Sequence, residues 1–189
     1  MIKALFFDCF GVLVDDIYGG PMRDDLPPKL LKKWWMISDR ADMGEISDAE
    51  RIDEVSRFAI GGRTAIEQKF NTARRNKDLL NYILHLRKRY KIGLLSNASN
   101  GIVERFFMPA ELVKYFDDVV LSYQVHLIKP DLEIYRLAID RLGLKPGESV
   151  FVDDKMTNVA AAEKVGMQGV LYKNFAQCRE ELDKILGEE

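Results

Sequence analysis

The chain of 189 residues is long enough for one domain with a substantial core, or for a domain carrying an insertion, and short for two independent folds. Its 28 Lys and Arg against 30 Asp and Glu leave a formal net charge of -2, which excludes a general attraction to nucleic acid or to an anionic membrane and leaves partners to be recognised at a site. Cys9 and Cys178 are too far apart in sequence to suggest a disulfide framework or a metal spacing and point to a reducing cytoplasm; no apolar stretch approaches the roughly 20 residues that cross a bilayer.

A short apolar run, Ala4-Leu5-Phe6-Phe7, stops at Asp8 and is followed by Gly11, the pattern of a buried strand that delivers a carboxylate to a sheet edge. The run is too short for a signal-peptide core and has no small-residue cleavage pattern after it, so it is expected to be folded structure. Taken alone, a strand stopped by Asp and a turn is common punctuation without chemistry. Val14 to Pro21 is turn-rich, and from about Leu26 to Asn76 the apolar spacing becomes helical with no convincing strand. Ser47 with Glu50 three residues on is a capping box that starts one helix, Gly61-Gly62 is expected to end it, and Thr64, Gln68 and Phe70 belong to another.

Beyond Asp78 one unit repeats. Leu79, Leu80, Ile83, Leu84 and Leu86 make an amphipathic helix that leads into the strand Lys91 to Ser96 and the polar Asn97. Helical stretches at Val103 to Phe107 and Glu111 to Phe116 precede Asp118 to Ser122. A helix from Asp131 to Leu142, stopped at Gly143, leads to Ser149-Val150-Phe151-Val152-Asp153-Asp154. Asn158 to Val165, ended by Gly166, leads to Gly169 to Tyr172, and Phe175 to Leu186 reads as a closing helix.

Strands that are apolar on both faces and alternate with helices imply an α/β fold: a five-stranded, parallel, Rossmann-like sheet flanked by helices. The expected organisation is a core of residues 1-14 and 77-189 with a small helical cap, 15-76, inserted after the first strand. In such sheets ligands bind beyond the carboxyl ends of the strands, the edge where Asp8, Ser96, Asn97, Ser122, Asp153 and Asp154 emerge. Carboxylates converging there repel one another unless a cation or a proton intervenes.

Asp8 with Gly11, Ser96-Asn97, Lys129-Pro130, and Asp153-Asp154 with Asn158 together resemble, in order, the four motifs of the haloacid dehalogenase-like hydrolase superfamily. The resemblance covers residues 3-13 and about 79-173, and is to a phosphatase-like member with a small helical cap. It implies that Asp8 attacks a phosphoryl group and forms an aspartyl-phosphate that water then hydrolyses. It also implies a magnesium ion held by Asp8, the backbone carbonyl of Phe10, Asp153 and Asp154, as hard oxygen donors suit that ion. Ser96, Asn97 and Lys129 would contact the phosphoryl group, Lys129 would place fixed charge beside Asp8, and Asn158 and Gly11 would support these groups from behind. The implied partner is a small phosphorylated metabolite, with no nucleic acid and no membrane; the oligomeric state stays open.

One position departs from the phosphatase pattern. Where most such phosphatases carry a second Asp two residues after the nucleophile, as general acid and base, this chain has Phe10. Losing a placed acid/base commonly costs about 10²–10⁴-fold in rate. An aromatic there, with Lys129 and Tyr135, resembles the metal-independent 2-haloacid dehalogenases, for which Arg40 is a weak candidate for holding halide or carboxylate. Asp153 and Asp154 oppose that reading, since an unshielded acidic pair repels an anionic haloacid. Phe10 and the His126-Leu127-Ile128 sequence before Lys129 also motivate a third reading, a binding or regulatory protein that has lost turnover. Adjacent Trp34 and Trp35 cannot both face one apolar stripe of a helix, so one is expected to line the cleft or a partner surface.

Overall fold

The computed structural model describes residues 1–187. Strand β1, Ala4–Phe7, is buried at every residue because it has no solvent-facing side: Leu5 and Phe7 enter one apolar cluster and Ala4 and Phe6 the other. It is joined by β2 (Lys91–Ser96), β3 (Asp118–Leu121), β4 (Ser149–Asp153) and β5 (Gln168–Leu171) in one sheet of order β3-β2-β1-β4-β5, every neighbouring pair parallel. The chain runs outward from β1 through β2 to β3, then returns to place β4 on the opposite side of β1. That reversal sets the carboxyl ends of β1 and β4 side by side, the position at which open parallel sheets bind ligands. Gly93 in β2 lets the Phe6 ring cross over it, since a Cβ there would lie 2.3 Å from that ring.

Four helices lie between β1 and the first helix of the repeating unit: α1 (Pro21–Asp24), α2 (Pro28–Asp42), α3 (Asp48–Val55) and α4 (Gly62–Thr72). The expected capping box is present at Ser47, whose hydroxyl accepts from Glu50 N–H while the Glu50 carboxylate accepts from Ser47 N–H. Gly61 and Gly62, however, do not close α3, which ends at Val55; Gly61 takes a left-handed conformation (φ +78°) and starts α4. The two ends of this insertion are tied together at its base, where Asp15 N–H donates to Arg74 O (3.1 Å) and Asn76 N–H to Leu13 O (2.8 Å). Trp34 is turned inward, 1% exposed and packed edge-on against Tyr18 and Phe58, whereas Trp35, one residue and about 100° further round the helix, is 40% exposed.

The remaining helices are α5 (Lys77–Leu86), α6 (Pro109–Tyr115), α7 (Ser122–Val125), α8 (Leu132–Arg141), α9 (Met156–Val165) and α10 (Phe175–Leu186). Leu79 and Ile83 of α5 and Cys178 and Leu182 of α10 pack in one cluster; Ile134, Tyr135 and Ala138 of α8 and Ala161 and Ala162 of α9 pack in the other. The sheet is therefore covered on both faces. Residues 103–105 form a single 3-10 turn rather than a helix, and α9 begins at Met156, two residues ahead of the expected Asn158. The short α7 follows β3 directly and ends at His126, which sits at φ +54° with its Nδ1 2.8 Å from Met43 O. Residues 188 and 189 of the expected core lie outside the described residues.

Candidate active site

The register of the central pair brings the first two acids together. Phe7 pairs with Val152 and Asp8 N–H donates to Val152 O (2.9 Å), so Asp8 and Asp153 leave neighbouring strands at the same level. Both are buried. Lys129 Nζ stands between them, 2.8 Å from Asp8 Oδ1 and 2.7 Å from Asp153 Oδ2, and also donates to Leu95 O at 3.0 Å. Asp153 is the most heavily hydrogen-bonded of the acids. Besides Lys129 it accepts from Lys155 N–H (2.8 Å) and from Asn158 Nδ2 (3.0 Å to each oxygen). Asn158 is held in turn by its backbone carbonyl, which accepts from the Tyr135 hydroxyl at 3.0 Å.

Asp154 is different. Its Oδ1 is buried without a hydrogen-bond partner, an arrangement that costs about 1–3 kcal/mol or more unless something at the site satisfies it. Oxygens of Asp8, Asp153 and Asp154 lie within 4.8 Å of one another. Burial raises the Asp8 carboxyl to about 7 against the opposing pull of Lys129, with Asp153 adding to the rise. Burial likewise raises Asp154, and Asp153 again adds to it. Burial works to lower Lys129, but Asp153 and Asp8 outweigh it and hold the ammonium above its ordinary range. Three carboxylates against one ammonium leave the cluster with excess negative charge. Hard oxygen donors, an orphaned carboxylate oxygen and that excess together fit a divalent cation.

The loop after β1 is shaped around this cluster. Leu13 and Val14 N–H both donate to Cys9 O (2.8 and 2.9 Å), and Gly11, at φ +90°, donates to Val14 O (2.7 Å). Cys9 N–H donates to Asp8 Oδ1 (2.7 Å), so that oxygen has two donors and Oδ2 carries neither contact. The Phe10 carbonyl accepts none of the loop's backbone hydrogen bonds, and its ring packs edge-on against Phe106 at 5.9 Å.

In the second motif both side chains make contacts within the protein. Ser96 is fully buried with its hydroxyl 3.4 Å from Asn97 O and does not line the cavity beyond the strand ends. Asn97 lines it, but its amide clasps the backbone of the third motif, donating to Lys129 O (2.9 Å) and accepting from Lys129 N–H (2.8 Å). Asn97 thereby fixes the loop that aims Lys129.

That cavity, about 490 Å³, runs from Asp8, Lys129 and Asp154 to Tyr18, Trp34, Trp35, Asp39 and Arg51 of the insertion. Arg51 was not singled out from the sequence. It is 4% exposed and faces Asp42 (3.1 Å), Asp48 and Ser99 Oγ (3.0 Å), with its guanidinium over the Tyr18 ring. The available signal was its i,i+3 spacing from Asp48, which usually marks an exposed pair. Arg40 lies on the outer surface with Glu54 (3.3 Å) and Glu45 (4.0 Å) and does not line the cavity. Ser122 Oγ donates to Asp42 O (2.6 Å) and accepts from Ala98 N–H (2.9 Å), tying the insertion to the loop after β2.

Residues 2–166 match the family model described as haloacid dehalogenase-like hydrolase. The chain is 40% identical over 80 residues to bifunctional epoxide hydrolase 2 of Rattus norvegicus, covering 42% of this chain and 14% of that protein. It is 35% identical over 113 residues to D-ribitol-5-phosphate phosphatase of Bacteroides thetaiotaomicron, covering 57% of this chain and 55% of that protein. The chain thus spans only part of these curated relatives, from about one seventh to about half of their length. A haloacid dehalogenase family enzyme of Bacteroides thetaiotaomicron, solved with magnesium and inorganic phosphate, shares the fold with a TM-score of 0.70 at 23% identity, over 92% of this chain and 95% of that one. No helix is long and apolar enough to cross a membrane among the described residues. With a family model matched across residues 2–166 of the α/β core and the insertion, the chain belongs to the haloacid dehalogenase-like hydrolases.

Proposed function

We propose that this protein is a magnesium-dependent phosphomonoesterase that hydrolyses a small phosphorylated metabolite through an aspartyl-phosphate on Asp8. The observation that carries the reading is Asp154 Oδ1, buried and unpartnered beside Asp8 in a cluster with surplus negative charge. A 2-haloacid dehalogenase needs no such acid. Asp8, the Phe10 carbonyl and Asp154 would hold the ion, with Asp153 as a further oxygen donor. When bound, the ion supplies the positive charge that lets an anionic nucleophile meet an anionic phosphate.

Asp8 Oδ1 is fixed by Cys9 N–H and Lys129, so Oδ2 is the oxygen free to attack phosphorus. Lys129, oriented by Asp153 and Asn97, holds a charge beside the nucleophile and toward the transferred group. Residues 15-76 would act as the cap, excluding water and choosing the substrate with the side chains that line the cavity. The related D-ribitol-5-phosphate phosphatase supports a phosphorylated small molecule as substrate. Cys9 and Cys178, both buried and unpaired, support a reducing cytoplasm as the compartment.

The test is release of phosphate from an aryl phosphate and of halide from a 2-haloacid, each with magnesium and with a chelator, using Asp8→Asn as the blank. Magnesium-dependent phosphate release is expected. Halide release indifferent to chelator would make the protein a dehalogenase, and silence in both assays would make it a binding protein.

A further inference from the structure

With Phe10 where a phosphatase of this family carries its acid/base, the proton for the leaving oxygen has to come from elsewhere in the cavity. Five carboxylates line that cavity: Asp8, Asp16, Asp39, Asp42 and Asp154. Asp8 and Asp154 belong to the reacting cluster. Asp16 is engaged, its Oδ1 accepting from Tyr18 N–H (3.1 Å) and its Oδ2 lying 3.7 Å from Arg23 Nη1. Asp42 is half-buried and engaged with Arg51 at 3.1 Å. The Tyr18 hydroxyl is no substitute, because it donates to Asp48 (2.7 Å) and burial pushes its pKa far up. Lys155 sits with Nζ 5.8 Å from the centre of the Trp35 ring.

Asp39 remains. It lies on α2, in the part of the insertion that faces the strand ends, is open to solvent, and makes no side-chain hydrogen bond or ion pair among the described residues. We infer that Asp39 is the proton carrier of the phosphomonoesterase reaction, an inference that rests on the phosphatase reading above. As Asp8 Oδ2 bonds to phosphorus, the bond from phosphorus to the leaving oxygen breaks, and that oxygen takes the carboxyl proton of Asp39. The Asp39 carboxylate then takes a proton from water while the water oxygen attacks phosphorus, the bond to Asp8 breaks, and phosphate leaves with both carboxyl groups restored. Partial burial raises the Asp39 carboxyl, the direction an acid needs, against the opposing charge of Lys155; Asp39 in turn adds to the rise of Asp42, one turn on.

The test separates leaving groups. A nitrophenolate leaves without a proton, whereas an alkoxide does not, so Asp39→Asn should retain a first-turnover burst of nitrophenolate from nitrophenyl phosphate within a few-fold of wild type. Cleavage of simple alkyl phosphates, and steady-state turnover of the aryl phosphate, should fall by about 10²-fold or more. Because Asp39 binds no other side chain, the variant should keep the wild-type melting temperature, and Asp16→Asn should show no such split. Equal losses for both leaving groups in the first turnover, no loss at all, or the split appearing in Asp16→Asn would overturn the assignment. So would a wild type that cleaves the aryl phosphate and no alkyl phosphate, since it then has no proton donor. A wild type that releases phosphate from neither substrate overturns the phosphatase reading itself.

Discussion

A Cβ placed on Gly11 would lie 2.5 Å from Asp154 Oδ2, so the loop after the first strand and the acidic end of the fourth touch with no room for a side chain. Gly11 also sits at φ +90°, which L side chains rarely adopt. Gly11→Ala should therefore lower stability by about 1–3 kcal/mol and push Asp154 out of place. Denaturant unfolding reads the first effect, and a loss of magnesium-dependent phosphate release beyond that of equally destabilised variants elsewhere reads the second.

Asp8→Asn should abolish steady-state turnover, because among the described residues no other carboxylate both lines the cavity and is held by Lys129. The substitution also removes one charge from a buried, crowded cluster, so the melting temperature in chelator should stay equal to wild type or rise. Residual activity within about 10-fold of wild type would rule out Asp8 as nucleophile.

Magnesium should stabilise the fold as any ligand of the native state does, by about 2.7 kcal/mol at a concentration 100 times its dissociation constant. The orphaned oxygen of Asp154 makes this residue the sensitive probe. Asp154→Asn should lose the magnesium-dependent rise in melting temperature, measured without substrate, while unfolding normally in chelator.

Arg51 is the buried cation facing Asp42 and Asp48. Arg51→Met keeps much of the volume but leaves two acids without their partner, and should cost about 3–5 kcal/mol in urea unfolding. Ser99 loses its contact with Arg51 in the same variant and keeps only its hydrogen bond to Asp48 (2.8 Å), so the loop that carries Asn97 should loosen. Faster hydrogen exchange at 97–99, compared with the sheet, checks this.

Phe10→Asp should raise alkyl phosphate turnover, above all in the Asp39→Asn background, by returning a carboxylate to the position next to the nucleophile. The loss of edge packing on Phe106 should cost about 0.5–1.5 kcal/mol of stability. An unchanged rate in the double variant would show that the loop cannot present a carboxylate from position 10.

Much of this molecule is legible before any coordinates. The strands at Ala4–Phe7, Lys91–Ser96 and Ser149–Asp153 are continuous apolar runs cut off by a polar residue, and the helices between them carry their own periodicity and stop signals. The insertion is less legible. Its glycine pair at 61 and 62 reads as the end of one helix, whereas in the structure it opens the next, with Gly61 as the left-handed residue before α4. Ser96 and Asn97 are legible as the polar end of a strand, whereas the clasp of the Asn97 amide on the backbone of Lys129 is not.

By itself the sequence determined the alternation of strand and helix and the chemical type of each strand end, because those depend on local periodicity and on residues a few positions apart. Only the tertiary structure decided which ends meet. β4 returns to the free side of β1, so Asp153 rather than Ser122 stands beside Asp8, and Lys129 reaches between the two acids. The same holds for Trp34 against Trp35, for the burial of Arg51, and for Asp39 standing free in the cavity. Each depends on contacts between segments distant in the chain, where desolvation and hydrogen bonding select the partner and sequence spacing carries no information.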